Sequence, residues 1–133
     1  MSGDALLFDT NAIIALFGGE KRVARIMSDS RSVGIPAVVC GELEAGMQGV
    51  TARERREREF VDGLLALPKV CVIPVTRKTG EFYGRIYDYL RSVGRKIPVN
   101  DIWIAAAALE TGAAICTGDT HLLGLPLIRT VPV

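Results

Sequence analysis

Hydrophobic residues fall along this chain in short runs broken by polar ones, and the runs follow two different spacings. The run 5–8 (Ala-Leu-Leu-Phe) stops at Asp9, Thr10 and Asn11 and resumes over 12–17. That pattern predicts a buried strand, a polar turn and a helix ended by Gly18 and Gly19. A second helix is expected over 22–28 and a short strand over 32–35, after which Pro36 opens a helix through Val38, Leu43 and Met47. Thr51 followed three positions later by Glu54 has the spacing of a capping box. The charged helix it begins shows Phe60, Leu64 and Leu67 as its apolar side. Residues 70–73 (Val-Cys-Val-Ile) read as a third strand. Thr76 then caps a long helix in which Phe82, Ile86, Leu90 and Val93 recur at helical spacing up to Gly94.

The segment 100–110 has almost no polar face, so it predicts a helix buried on most sides, with its alanines permitting close approach to a sheet. Gly112 ends it. A strand over 113–117 leads into Gly118 and Asp119, and a last strand is expected over 127–131. Strands alternating with helices imply an α/β fold with a mostly parallel, roughly five-stranded sheet. The 133 residues fit one domain covering 1–133, without internal repeat, linker or low-complexity tract.

Composition narrows the function classes. The chain is 49% hydrophobic and 23% charged, an ordinary globular mix that excludes disorder. Its net charge of +1 favours no class of partner by itself. The N-terminal apolar stretch is interrupted by Asp9 and Asn11, lacks a basic leader and is too short to span a bilayer, which points to a cytoplasmic protein. Cys40, Cys71 and Cys116 are odd in number and sit in apolar stretches, the pattern of buried free thiols in a reducing cytosol. Without a CxxC pair, and with His121 as the sole histidine, a thiolate metal site and a serine or cysteine triad are both disfavoured. His121 itself is read as a loop residue, with an RNA or phosphate contact as the alternative.

Four carboxylates carry the candidate chemistry. Asp9 directly follows the first strand and Asp119 the fourth. Asp101 opens the helix before that fourth strand, and Glu42 lies early in the helix after the second. In an open parallel sheet all four converge on the carboxyl edge, where ligand sites gather. Each alone has an innocent reading as a helix cap. Together they would repel one another strongly unless a cation were present. Glu42 and Glu44 point in opposite directions on their helix, and periodicity does not choose between them. Carboxylates without histidine or thiolate suit a hard cation, Mg²⁺ or Mn²⁺, and hence phosphodiester hydrolysis without a protein nucleophile.

The segments 7–11 (Leu-Phe-Asp-Thr-Asn), 42–46 (Glu-Leu-Glu-Ala-Gly), 98–106 (Pro-Val-Asn-Asp-Ile-Trp-Ile-Ala-Ala) and 116–121 (Cys-Thr-Gly-Asp-Thr-His) resemble, in order and spacing, those of the PilT N-terminus (PIN) domain ribonucleases. The likeness is strongest to the VapC-type toxins of toxin–antitoxin pairs. It falls on Glu42 rather than Glu44, because the family's acidic residue is followed by leucine and, four positions on, by glycine. It also assigns Asp9, Asp101 and Asp119 as the other acidic catalytic and metal-binding positions, and Asn11 and Thr117 as polar supports of the metal shell. The resemblance implies a three-layer α/β/α fold, Mg²⁺- or Mn²⁺-dependent endoribonuclease activity on an RNA substrate, a homodimer, and an antitoxin partner that blocks the site. Residues 122–127 depart from the family's usual stretch and bear on the shape of the last loop.

The segment 76–96 holds six basic residues against Glu81 and Asp88, and could counter phosphate charge or simply be a solvated helix face. Tyr83, Tyr87 and Tyr89 could stack on unpaired bases, with at least one more suited to packing. The apolar side of 60–67 could serve a partner helix or the core alike. Two further readings remain: a PIN-like module that binds RNA or protein without cutting, and another Mg²⁺-dependent phosphate-ester enzyme.

Overall fold

A computed structural model describes residues 5–133. Strands β1 (Ala5–Phe8), β2 (Ser32–Pro36), β3 (Val70–Ile73), β4 (Ala114–Thr117) and β5 (Thr130–Pro132) form one parallel sheet in the order β3-β2-β1-β4-β5. Between them run helices α1 (Thr10–Phe17), α2 (Lys21–Asp29), α3 (Ala37–Gly46), α4 (Ala52–Leu65), α5 (Arg77–Ser92), α6 (Val99–Thr111) and α7 (Thr120–Leu123). Right-handed crossovers require α1 to α4 to cover one face and α5 to α7 the other, which gives the expected three-layer α/β/α arrangement. Strand order reverses between β1 and β4, so a crevice opens at their carboxyl ends.

The central strands are buried because both faces are covered. Leu7, Phe8, Val33, Ile35, Ile115 and Cys116 are all almost inaccessible. β2 lies so tightly between its neighbours that a Cβ on Gly34 would come within 2.6 Å of Leu7 Cδ2 and 2.9 Å of Ile73 Cγ1. The capping boxes at Thr51 and Thr76 both form, setting the starts of α4 and α5. Ala105 to Ala108 are buried, and α6 makes its broadest contact with α5. Gly112 ends α6 in the left-handed conformation at φ 73°.

Several expectations change. Asp9, Thr10 and Asn11 are no turn: Asp9 is the N-cap of α1, and helix begins at Thr10. β5 starts only at Thr130. Leu127 and Ile128 precede it in a turn, and the ladder to β4 begins at the Ile115 N–H to Arg129 carbonyl bond of 2.9 Å. Leu67 and Val93 lie beyond the ends of α4 and α5 and are exposed. Cys116 is buried and its thiol is pushed up to about 12 by burial, but Cys71 is exposed because β3 is an edge strand. No helix among the described residues is long and apolar enough to cross a membrane.

Candidate active site

All four predicted carboxylates gather at the β1–β4 edge, each placed there by a local rule. Asp9 caps α1: its Oδ1 accepts from the Ala12 N–H at 2.9 Å, and its Oδ2 accepts from the Thr117 hydroxyl. It is 2% exposed, and burial raises its carboxyl pKa. The Thr117 and Ala12 bonds oppose that rise, while the charges of Asp119 and Glu42 add to it. Thr117 ends β4, is fully buried, and accepts from the Asp119 N–H at 2.9 Å. One hydroxyl thus ties two carboxylate-bearing segments together. Asp119 in turn caps α7, its Oδ1 accepting from the His121 N–H at 2.8 Å.

Asp101 lies in the first turn of α6 and is buried, yet its Oδ2 has no hydrogen-bond partner. Burial, then the charge of Asp119, pushes its carboxyl up to about 7; Glu42 adds a little and His121 opposes. Glu42 faces the same edge from α3, where its Oε1 accepts from Thr10 Oγ1 at 2.6 Å and its Oε2 from Asn100 Nδ2 at 3.3 Å. Glu44 points away and pairs with Arg58 at 3.0 Å.

The supporting residues differ from expectation. Thr117 is central. Asn11 is exposed on α1 with its side chain in no hydrogen bond among the described residues, and Thr10 beside it makes the contact to Glu42. Asn100 was missed, although a polar residue directly before Asp101 at a helix start was a usable signal. His121 is no loop residue. It sits in α7 with Nδ1 3.4 Å from Asp101 Oδ2 and 3.2 Å from Asp119 Oδ1. Arg95 fixes that helix by donating to the Gly124 carbonyl at 2.7 Å and the His121 carbonyl at 3.1 Å.

The basic segment is partly spent within itself. Lys78 pairs with Glu81, Arg91 pairs with Asp88, and Arg85 rests over the Phe82 ring. Tyr83 packs on Trp103 at 4.3 Å between ring centres and stacks with Tyr87, which is the exposed one. On α4, Phe60 packs edge-on against Phe17 at 5.5 Å.

A cluster of carboxylates with a buried, unpartnered oxygen at its centre is chemically suited to a divalent cation, which would satisfy lone pairs that no protein donor reaches. Comparison with known proteins gives the chain its family. The sequence model of the PIN domain matches residues 6–126. Ribonuclease VapC4 of Mycobacterium tuberculosis is 27% identical over 100 residues, covering 75% of this chain and 76% of that one. Ribonuclease VapC5 of the same organism is 24% identical over 127 residues, covering 96% and 92%. Among solved structures, VapBC2 from Rickettsia felis bound to a promoter DNA fragment superposes with a TM-score of 0.83 at 18% identity, over 97% of this chain and 98% of that one. The fold and the matched span agree: this chain belongs to the PIN domain family.

Proposed function

We propose that the protein is a metal-dependent endoribonuclease that hydrolyses RNA phosphodiester bonds, and that it is the toxin of a VapBC-type toxin–antitoxin pair. The observation that carries this reading is the buried Asp101 Oδ2 with no hydrogen-bond partner, set among Asp9, Glu42 and Asp119. In this reading the four carboxylates are the catalytic and metal-binding residues, with Mg²⁺ or Mn²⁺ as the cation. Bound there, the cation supplies Lewis-acid activation of water and offsets charge growing on the phosphoryl oxygens. Thr117 positions Asp9 and the Asp119 backbone, and Thr10 and Asn100 position Glu42. The hydroxyls nearest the carboxylates, those of Thr10 and Thr117, are engaged as donors to Glu42 and Asp9, so in this reading the attack falls to water.

The partners follow from the same reading: an RNA substrate, a cognate antitoxin, and a second copy in a homodimer, in the cytoplasm, with 1–133 acting as one domain. In this reading an antitoxin helix would dock over the small, mostly apolar depression where Ile14, Phe17 and Phe60 meet beside Glu57. Highly purified protein should cleave structured RNA in the presence of Mg²⁺ or Mn²⁺ and leave small phosphate esters intact. Asp101→Asn, which keeps the shape of the side chain, should abolish cleavage and growth inhibition with the circular dichroism spectrum unchanged. Full activity in that variant would overturn the catalytic assignment, and a wild-type protein that binds RNA without cutting it would be a PIN-like binding module.

A further inference from the structure

His121 is placed at the acidic edge by everything around it except its own side chain. Asp119 caps α7 beneath it, Arg95 grips its carbonyl, and the next residue, Leu122, is fully buried. The imidazole itself is about half exposed, with a side-chain accessibility of 47%, so packing gives no reason for its position. What it does is bring Nδ1 to 3.4 Å from Asp101 Oδ2 and 3.2 Å from Asp119 Oδ1. The contact with Asp101 is not a hydrogen bond, since that oxygen has no hydrogen-bond partner.

Three donor atoms, one from α6 and two from the start of α7, therefore lie within 4.8 Å of one another. One is a side-chain oxygen of a residue more than nine-tenths buried. Neighbouring ligands in an octahedral shell of radius about 2.1–2.2 Å lie roughly 3 Å apart, close to the separations seen here. We propose that His121 Nδ1 is a ligand of the metal centre, together with Asp101 and Asp119, and that this nitrogen donor makes the site select Mn²⁺ over Mg²⁺. Mg²⁺ favours an all-oxygen, largely hydrated shell, whereas imidazole nitrogen suits first-row transition ions. The carboxylates alone pointed to a hard cation; the histidine shifts the preference.

This proposal rests on the acidic edge being a divalent-cation site, and one experiment separates the two. Metal-stripped full-length protein is titrated with Mn²⁺ and, separately, with Mg²⁺ by calorimetry, and the Mn²⁺-loaded protein is examined by electron spin-echo envelope modulation. Because the chain has a single histidine, an imidazole nitrogen coupling in that spectrum can come only from His121. The expected result is such a coupling in the wild type and its loss in His121→Ala. That variant should bind Mn²⁺ about tenfold more weakly or worse while its Mg²⁺ affinity changes by less than about twofold. Stoichiometric Mn²⁺ binding that is abolished by Asp101→Asn but shows no imidazole coupling would overturn the role of His121 and leave the acidic site standing. Absence of any Mn²⁺ binding would overturn both.

Discussion

Helix α3 carries two glutamates two residues apart, and the protein treats them in opposite ways. Glu44 is exposed and neutralised by Arg58, whose guanidinium also reaches the Met47 carbonyl. Glu42, half-buried, receives only neutral donors, Thr10 and Asn100, and its charge acts on the carboxylates of Asp9 and Asp101. The contrast extends to the elements around them. On α4, Arg53 pairs with Glu57, and Glu54 is held below the usual carboxylate range by hydrogen bonds from Thr51 and Gly49. At the β1–β4 edge, no lysine or arginine among the described residues pairs with Asp9, Glu42, Asp101 or Asp119. Arg95 comes near and is spent on backbone carbonyls. The chain has basic residues in plenty and keeps them off this edge. Glu44, Glu57, Glu81 and Asp88 are each balanced by a neighbouring lysine or arginine; the site acids are left to be balanced by something bound.

The strongest way to break this contrast is to remove one unbalanced charge. Asp9→Asn should lower RNA cleavage by about 10³-fold or more, measured as single-turnover rates at saturating metal, with the variant still folded. An equal rate would mean that the buried carboxylate serves only as a helix cap. Thr117→Val attacks the same edge through its support. It leaves Asp9 Oδ2 and the Asp119 N–H without their shared partner, so metal affinity should fall by roughly 10- to 100-fold. Unfolding stability should drop by about 1–3 kcal/mol. Unchanged calorimetric affinity would show that the hydroxyl does not position the cluster.

Acidity gives a third handle. The Asp101 carboxyl sits at about 7 in the metal-free protein, against about 3.9 for an unfolded aspartate. The folded state therefore holds a proton that the unfolded state has lost, and stability of the metal-free protein should decline as pH rises from about 4 to about 7. The raised carboxyl of Asp9 acts in the same direction. A saturating divalent ion favours the charged forms and should reverse the trend. Urea unfolding followed across that range, with chelator and with metal, checks the sign; a metal-free stability that climbs over the interval would contradict it. The smallest effect belongs to the other glutamate. Glu44→Gln removes an exposed ion pair worth about 0–1 kcal/mol and should leave cleavage within twofold of wild type.

Much of this contrast was legible in the sequence because it is written in local rules. Strand β1 was bounded by its apolar run, α4 by the Thr51–Glu54 box, and the convergence of Asp9 and Asp119 by their places after strands. Choosing Glu42 over Glu44 needed the family resemblance, since helical periodicity treats the two alike. What escaped was too short or too ambiguous for periodicity. α7 spans only Thr120–Leu123, barely one turn, so no repeat marks it. With α7 hidden, His121 looked like a loop residue. Thr10 was lost because polar residues at a helix start look the same as a turn. β5 was misplaced because Leu127 and Ile128 are apolar whether they pair in a ladder or pack from a turn.

The claim at the centre is that a cation completes the β1–β4 edge and that RNA cleavage depends on it. The most direct test strips the purified protein of metal and follows cleavage of a structured RNA as Mn²⁺ is returned, with melting temperature recorded in parallel. Cleavage should be absent in chelator and return saturably, over the same Mn²⁺ concentrations that raise the melting temperature. Full-rate cleavage by the stripped protein in chelator would contradict it.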